Sequence, residues 1–578
     1  MADITAISVE DVSQLLLRVV HGVQRQNVYL TLAALTLVFL AFLGKTLLSD
    51  QRRKHMPPAP PAFPIINHSF YHMKDDAITN AVKWARKYGE IYRTRAGATD
   101  FIWLNSPEAV KEIIDRKSAI YSSRPPLPMA SESASGGRRV VNMPHGNSWR
   151  TIRTILHRLL TPAMSKSYAP VQLYEAKQLS VDILDNPKDT YMHNRRYTSS
   201  LIMQITYGRR LPQWEHPDLT KIFQVLQRFG HIRRPGNWLV DSFPALANYR
   251  LFDLVSNWRT FGAEIHREDS EVWMFFWRRM QAEIDQGTAP HSFGKAFMTS
   301  DWQKKGIDEL QAAYVLGTMI EAGAETTSIQ LNNLIVGVLS RGKEVQQRAH
   351  EELDRVIGKD RTPTFEDEEN LPYIRAMVKE LMRWRAINKF GTNHYAMQDG
   401  WYKGYFIPKG SVVMINTWGI HYNPKRFPEP EKSGANGDGL FSFQYEPMRF
   451  FNHPLSAAEA TTVADPEMRD HYAYGGGRRI CPGMHVAERS LFINVARLMW
   501  GFDLQLAKDE NGRDIPVDPT FTTGYLPGGM AIAKPFVCDI RPRSPHHADV
   551  LRRDWEEAQA KGLELSHVNY RPDAKSPN

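Results

Sequence analysis

Tyr474-Gly-Gly-Gly-Arg-Arg-Ile-Cys481-Pro-Gly483 sets one of only two cysteines of a 578-residue chain inside a glycine-rich loop. A lone thiolate cradled by backbone N–H groups and arginines is what a haem iron takes as an axial ligand, and it pushes electron density toward O–O cleavage. The glycines allow a tight loop under a flat macrocycle, where a Cβ would collide. Backbone amides with Arg478 and Arg479 are expected to favour the anionic sulfur. Met484–Trp500 reads as a helix whose N-terminal dipole would add to that effect. The rival reading is a phosphate nest. It lacks the Gly-Lys-Ser/Thr ending of a P-loop and any strand–GxGxxG–helix setting.

Working outward, Glu380-Leu-Met-Arg383 puts an acid and a base three apart on one helical face. Pro447-Met-Arg449-Phe450 supplies a second arginine, so that a Glu–Arg–Arg network would brace the cysteine loop. Ala322-Gly-Ala-Glu325-Thr326-Thr327 lies in a helix expected over Ile307–Leu339, where glycine and paired threonines are poor interior choices. The reading is that Gly323 makes room for dioxygen, Thr326 relays protons and Glu325 feeds that relay. Trp149-Arg-Thr-Ile-Arg153 presents an indole N–H and a guanidinium on one face, suited to a carboxylate such as a haem propionate.

These stations, in this order, resemble the cytochrome P450 superfamily, in its microsomal, membrane-anchored form, from Pro57 to about Arg543. The resemblance implies a mainly α fold with a small β portion (α+β), the cytochrome P450 fold, preceded by one N-terminal transmembrane helix. It implies haem b held by Cys481 as iron ligand, with Trp149, Arg153, His394 and Arg479 on the propionates and Thr326 with Glu325 activating oxygen. Electrons would come from NADPH through the flavins of a membrane-bound NADPH-cytochrome P450 reductase, with cytochrome b5 as an optional second donor. Cys-Pro-Gly-Met-His-Val-Ala-Glu-Arg-Ser490 is similar to filamentous-fungal enzymes of secondary metabolism, many of which oxidise polyketides or small aromatics. Two positions depart from the family pattern: Tyr474 stands where phenylalanine is usual, and Ala386 where proline is common.

The expected activity is therefore a haem-thiolate monooxygenase acting on a small apolar, aromatic or polyketide-type substrate. One alternative is a haem-thiolate isomerase or dehydratase working without a reductase. It needs no proton relay, which Thr326 argues against. Another is a non-catalytic, membrane-anchored haem-binding protein, against which the intact Glu325-Thr326 pair stands. Lys389 is a candidate cation for an acidic substrate, and Tyr314, Phe390, Phe521 and Tyr525 are candidate aromatic contacts, although core packing is the commoner role of each.

Composition fits a globular chain, 42% hydrophobic and 23% charged. Two cysteines exclude a disulfide framework, and Cys538 reads as a buried small hydrophobe. The net charge of +9 comes from dispersed Lys and Arg, which points to a membrane surface or an acidic partner and not to nucleic acid. Val28–Gly44 is apolar and uncharged, and with Lys45 snorkelling the span reaches Leu48, enough for one crossing. Lys45, Arg52, Arg53 and Lys54 follow it, so the positive-inside rule puts the body in the cytosol; the resemblance to microsomal enzymes implies the endoplasmic reticulum as the membrane.

The organisation expected is a luminal segment 1–27, an anchor 28–48, a basic and proline-rich hinge 49–61, a catalytic domain 62–543 and a polar C-terminal extension 544–578. Glu90–Ala96 and Phe101–Leu104 read as a hairpin, and Ser106-Pro107 as a capped helix start. Further short strands are expected at Gly404–Pro408, Val412–Asn416 and Thr520–Pro535, and a loop at Ser433–Leu440.

Overall fold

Alternating aromatic and β-branched residues make the first regular elements, strands β1 (Ile91–Ala96) and β2 (Thr99–Leu104), paired antiparallel with Ile91 opposite Leu104. The computed structural model describes residues 36, 51–62, 68, 77–97, 99–234, 236–254, 256–427, 444–563 and 567–570. The expected anchor 28–48, the luminal segment and the loop Ser433–Leu440 lie outside these residues, Thr36 excepted. Among the described residues no helix is long and apolar enough to cross a membrane.

The chain divides into two units. The smaller runs to Met56 and takes in Gly404–Phe406; its described part is a short 3-10 turn, Gln51–His55, with the Arg52 guanidinium 4.7 Å over the Phe406 ring. The larger, Pro57–Lys403 with Ile407–Asn578, is mainly helical. Its helices include α1 (Asn147–Leu159), α2 (Ala169–Asp185), α3 (Thr190–Tyr207), α4 (Pro217–Ile232), α5 (Trp258–Asp285), α6 (Glu309–Gly323), α7 (Thr326–Ser340), α8 (Pro372–Trp384), α9 (Met484–Gly501) and α10 (Pro545–Lys561). Strands β3 (His394–Tyr395) and β4 (Val412–Ile415) complete a four-stranded sheet of order β1-β2-β4-β3, in which β4 lies parallel to β2. A separate pair, β5 (Phe502–Leu506) and β6 (Cys538–Pro542), is antiparallel.

Local chemistry sets several boundaries. Ser106 caps the turn that begins at Pro107, its hydroxyl accepting the Ala109 N–H at 3.1 Å. One large apolar core, with α7, α8 and α9 at its centre, fills the larger unit; Trp384 and Trp500 are fully buried in it.

Three expectations change. The single helix over Ile307–Leu339 is two, α6 and α7, interrupted at Ala324-Glu325. Thr520–Pro535 holds only isolated bridges, Tyr525 to Ala533 and Met530 to Asn388, and the regular strands flank it, β5 before and β6 after. The C-terminal extension is no mere surface appendage. In α10 His547, Val550, Leu551 and Ala558 are buried, and Asp554 reaches into the core to meet Arg497 of α9 at 2.9 Å.

Candidate functional site

The cysteine loop is held from below by residues far away in the chain. Asp115 accepts the Gly477 N–H on Oδ1 at 2.9 Å and Arg469 on Oδ2 at 2.7 Å, and Arg469 also donates to the Gly475 carbonyl at 3.2 Å. Gly477 has φ +60 and lies so close that a Cβ would come within 2.5 Å of the Ile114 carbonyl oxygen. Within the loop, the Cys481 N–H donates to the Tyr474 carbonyl at 2.9 Å, and α9 starts just beyond Gly483. Burial pushes the Cys481 thiol up; the Gly483 N–H and Arg153 pull the other way. Arg153 is thus the cation bearing on the sulfur, while Arg478 turns to His145, 3.5 Å from its Nε2.

Above this loop converge the side chains expected to hold a dianion. Arg153 donates to the Ile480 carbonyl, the residue before the cysteine. Arg479 stacks on the Trp149 indole at 3.8 Å and donates to the carbonyls of Ser122 at 2.8 Å and Met143 at 2.7 Å. His394, 4% exposed, has Nδ1 2.8 Å from the Tyr121 carbonyl, which assigns the proton to Nδ1. Burial first and Arg124 second lower its pKa to about 3, so the ring is neutral and its Nε2 donates only if an anion draws a second proton onto it.

Sequence reasoning missed Arg124. It donates to Val141 at 3.0 Å, to Thr392 at 3.0 Å and to Asn393 at 2.7 Å, all backbone carbonyls. Burial and the neighbouring Arg479, Arg233 and Arg153 push its pKa well down, and burial with Arg153 brings Arg479 to about 9. Among the described residues neither Arg124, Arg153 nor Arg479 has a carboxylate partner. Clustered guanidiniums without counter-charge are costly unless an anion joins them. The donor set therefore suits the two propionates of a haem, with the Cys481 sulfur in the loop beside it.

The interruption between α6 and α7 has a packing cause. At Gly323 a Cβ would sit 2.6 Å from Ile202 of α3, so the bare glycine lets the two helices meet. This revises the expectation that Gly323 makes space for dioxygen. The freed Ala324 carbonyl accepts from Thr198 at 2.6 Å and Ser199 at 3.3 Å. Beside the break, the Thr326 hydroxyl donates to the Ala322 carbonyl at 2.8 Å, and Ala322 is exposed in the last turn of α6, whose Ala312–Gly317 stretch is buried. Glu325 pairs with Arg195 at 2.7 Å. Burial raises its pKa and Arg195 opposes.

Behind the site, Glu380 and Arg383 of α8 form a fully buried bidentate pair, 2.6 Å on each arm, and Arg449 approaches Glu380 at 3.6 Å. The expected Glu–Arg–Arg brace is present. The substrate-contact candidates fare differently. Tyr314, Phe521 and Tyr525 are 1%, 3% and 3% exposed, and Phe521 stacks on Tyr525 with centroids 5.2 Å apart. Lys389 donates to the Leu526 carbonyl at 2.9 Å with its ammonium over Phe521. These are core contacts.

Comparison with known proteins converges on the same site. Residues 57–530 match the family model for cytochrome P450. The chain is 41% identical over 531 residues to cytochrome P450 monooxygenase verL of Clonostachys rogersoniana, covering 91% of this chain and 94% of the relative. It is 36% identical to cytochrome P450 monooxygenase pgmC of Aspergillus terreus, covering 93% and 95%, and 33% identical to cytochrome P450 monooxygenase yanC of Aspergillus niger, covering 93% and 98%. With a half-buried cysteine loop, its arginine cluster and an interrupted helix bearing Glu325-Thr326, the chain belongs to the cytochrome P450 family and is a cytochrome P450 monooxygenase.

Proposed function

We propose that this enzyme hydroxylates or otherwise oxidises a small apolar, aromatic or polyketide-type molecule in secondary metabolism. The observation that supports the haem is the cluster of Arg124, Arg153 and Arg479, without a carboxylate partner among the described residues, over the Cys481 loop. Cys481 would hold the haem iron. Arg153, Arg479, Arg124 and Trp149 would hold the propionates, with His394 joining them as its protonated ring. When bound, the haem would supply activation of O2: one oxygen atom would enter a substrate C–H bond and the other would leave as water, with two electrons and one proton from NADPH and a second proton from solvent.

The chain's own residues handle the protons. The Thr326 hydroxyl, anchored on the Ala322 carbonyl, faces the space beside Ala322 and can pass a proton there. Glu325, its carboxyl raised by burial, is the next group outward, and Arg195 both orients it and links it toward the exterior of α3. The apolar character of the substrate rests on the family resemblance. Assignment to secondary metabolism rests on the likeness to the Aspergillus and Clonostachys monooxygenases and on the stretch after Cys481.

Electron supply by NADPH-cytochrome P450 reductase, optionally with cytochrome b5, follows from the family. The single-pass anchor at 28–48, with the body on the cytosolic face of the endoplasmic reticulum, follows from the apolar run and the cations after it.

The ferrous–CO absorption spectrum tests the reading. The wild type gives the thiolate Soret band, and Cys481→Ser loses it together with NADPH-dependent product. An unaltered band and full turnover in Cys481→Ser would end the proposal.

A further inference from the structure

We propose that Arg233 is a specificity-determining residue that binds a carboxylate on the substrate, which makes the substrate a small, largely apolar carboxylic acid. The inference rests on the monooxygenase reading above and deepens it.

Arg233 directly follows α4 and closes it, its backbone N–H bonding the Phe229 carbonyl at 3.2 Å. That cap uses only the main chain. The guanidinium turns back over the Phe229 ring at 5.3 Å. The same ring carries a second guanidinium, that of Arg139, at 4.4 Å. The two arginines differ in what they meet. Arg139 is fully enclosed and doubly paired, with Asp269 at 2.7 Å and Glu321 at 2.9 Å. Asp269 is claimed a second time by Arg228 at 2.7 Å. The local carboxylates are thus spoken for, and among the described residues Arg233 makes no side-chain hydrogen bond and no ion pair.

Its location is fixed by the partners of its neighbour. Glu321, which holds Arg139, stands on α6 immediately before Ala322, the exposed residue whose carbonyl anchors the Thr326 hydroxyl. Arg233 lies near enough to this group for Glu321 to oppose, and Arg139 to reinforce, the lowering of its pKa by burial. The half-buried guanidinium lies over Phe229 beside the buried Ile232 with no counter-charge among the described residues, a setting that an anion would improve. A carboxylate would meet its planar fork with two parallel hydrogen bonds. Lys389, the cation that sequence reasoning offered for this task, is turned to Leu526 and Phe521 instead.

One other carboxylate source exists, a haem propionate, and the experiment separates the two. The haem-loaded enzyme is titrated with a series of ω-(imidazol-1-yl)alkanoates of increasing chain length and with their methyl esters, and the Soret shift is followed. The imidazole nitrogen anchors every probe at the iron, so all members bind and the chain length measures the reach of the acid. At one length or more the acid binds about tenfold or more tighter than its ester. Arg233→Gln brings that ratio to about one, and Arg233→Lys keeps part of it. The proposal is overturned if no length prefers the acid, or if the preference survives in Arg233→Gln. It is equally overturned if Arg233→Gln loosens haem and leaves the acid-to-ester ratio alone, which would assign the residue to a propionate. Failure of the underlying reading looks different: the ferrous–CO spectrum would lack the thiolate band before any probe is added.

Discussion

Thr326 shows how little a single side chain has to do to matter. Its hydroxyl makes one hydrogen bond, to Ala322, on the turn just before a break in the helix. Replacing it by valine keeps the shape and removes the hydroxyl that holds a proton on the Ala322 carbonyl. Thr326→Val is expected to bind ligands and to give the same ferrous–CO band as wild type. Product formed per NADPH consumed should fall, on the order of 10²-fold at full effect, with the missing electrons recovered as hydrogen peroxide. Thr326→Ser should restore most of the yield. Equal coupling in Thr326→Val would show that the proton arrives by another route. The motif that carries Thr326 was readable, because glycine and paired threonines are conspicuous inside an apolar helix. Its partner Arg195 was not, because it lies 130 positions away on α3 and nothing local marks it. Arg124 escaped for a similar reason: it sits in an irregular segment with no period, and its role exists only where the 120s, the 390s and the cysteine loop meet.

At the scale of elements, α10 is the clearest case of a segment whose composition misleads. It reads as polar, yet His547, Val550, Leu551 and Ala558 share a face, and the charged Asp554 serves the interior. Asp554 accepts from Arg497 at 2.9 Å, from Thr362 at 2.8 Å and from Lys177 at 2.6 Å. Arg497 is 1% exposed, so Asp554→Ala strands a charge inside the protein. The expected cost is about 3–5 kcal/mol, seen as a lower midpoint in urea unfolding. The double variant Arg497→Met with Asp554→Leu should recover most of it. An Asp554→Ala protein as stable as wild type would mean that α10 contributes nothing to the body it covers. A short helix around Leu551–Lys561 was readable in the sequence, but the surrounding charges hid that one of its faces is buried. The strands β5 and β6 were missed although Phe502-Asp-Leu-Gln-Leu506 and Cys538-Asp-Ile-Arg-Pro542 both alternate apolar and polar residues, because each is only five residues long and their pairing joins segments far apart in the chain.

For the whole molecule, stability should vary with pH through buried carboxyls. Glu488 of α9 accepts the Ala457 N–H at 2.6 Å and the Ala458 N–H at 2.8 Å, and burial lifts its pKa from 4.5 to about 7. A raised carboxyl gives stability that is fully present below the unfolded pKa and lost as pH climbs through the folded one. Between about pH 4.5 and pH 7 the wild type should therefore lose up to roughly 3 kcal/mol from this group. Glu488→Gln does not titrate. Its disadvantage in melting temperature at pH 5, from one weaker acceptor, should shrink or reverse by pH 8. A difference that stays constant across that range would remove Glu488 from the account. The core topology itself was legible in outline, since the order of motifs fixed the helix-rich class. The electrostatic interior was not, because each buried charge depends on partners that only the folded chain brings near.

The bond from Gly477 to Asp115 spans 362 positions. A loop closed over that separation forms late, after both ends of the larger unit have been synthesised and docked. A ribosome that stalls before the 470s releases a chain with no place for iron. Porphyrin uptake is in this sense a certificate of complete folding: an apoprotein that has misplaced its early helices fails to become coloured, however sound its last hundred residues are.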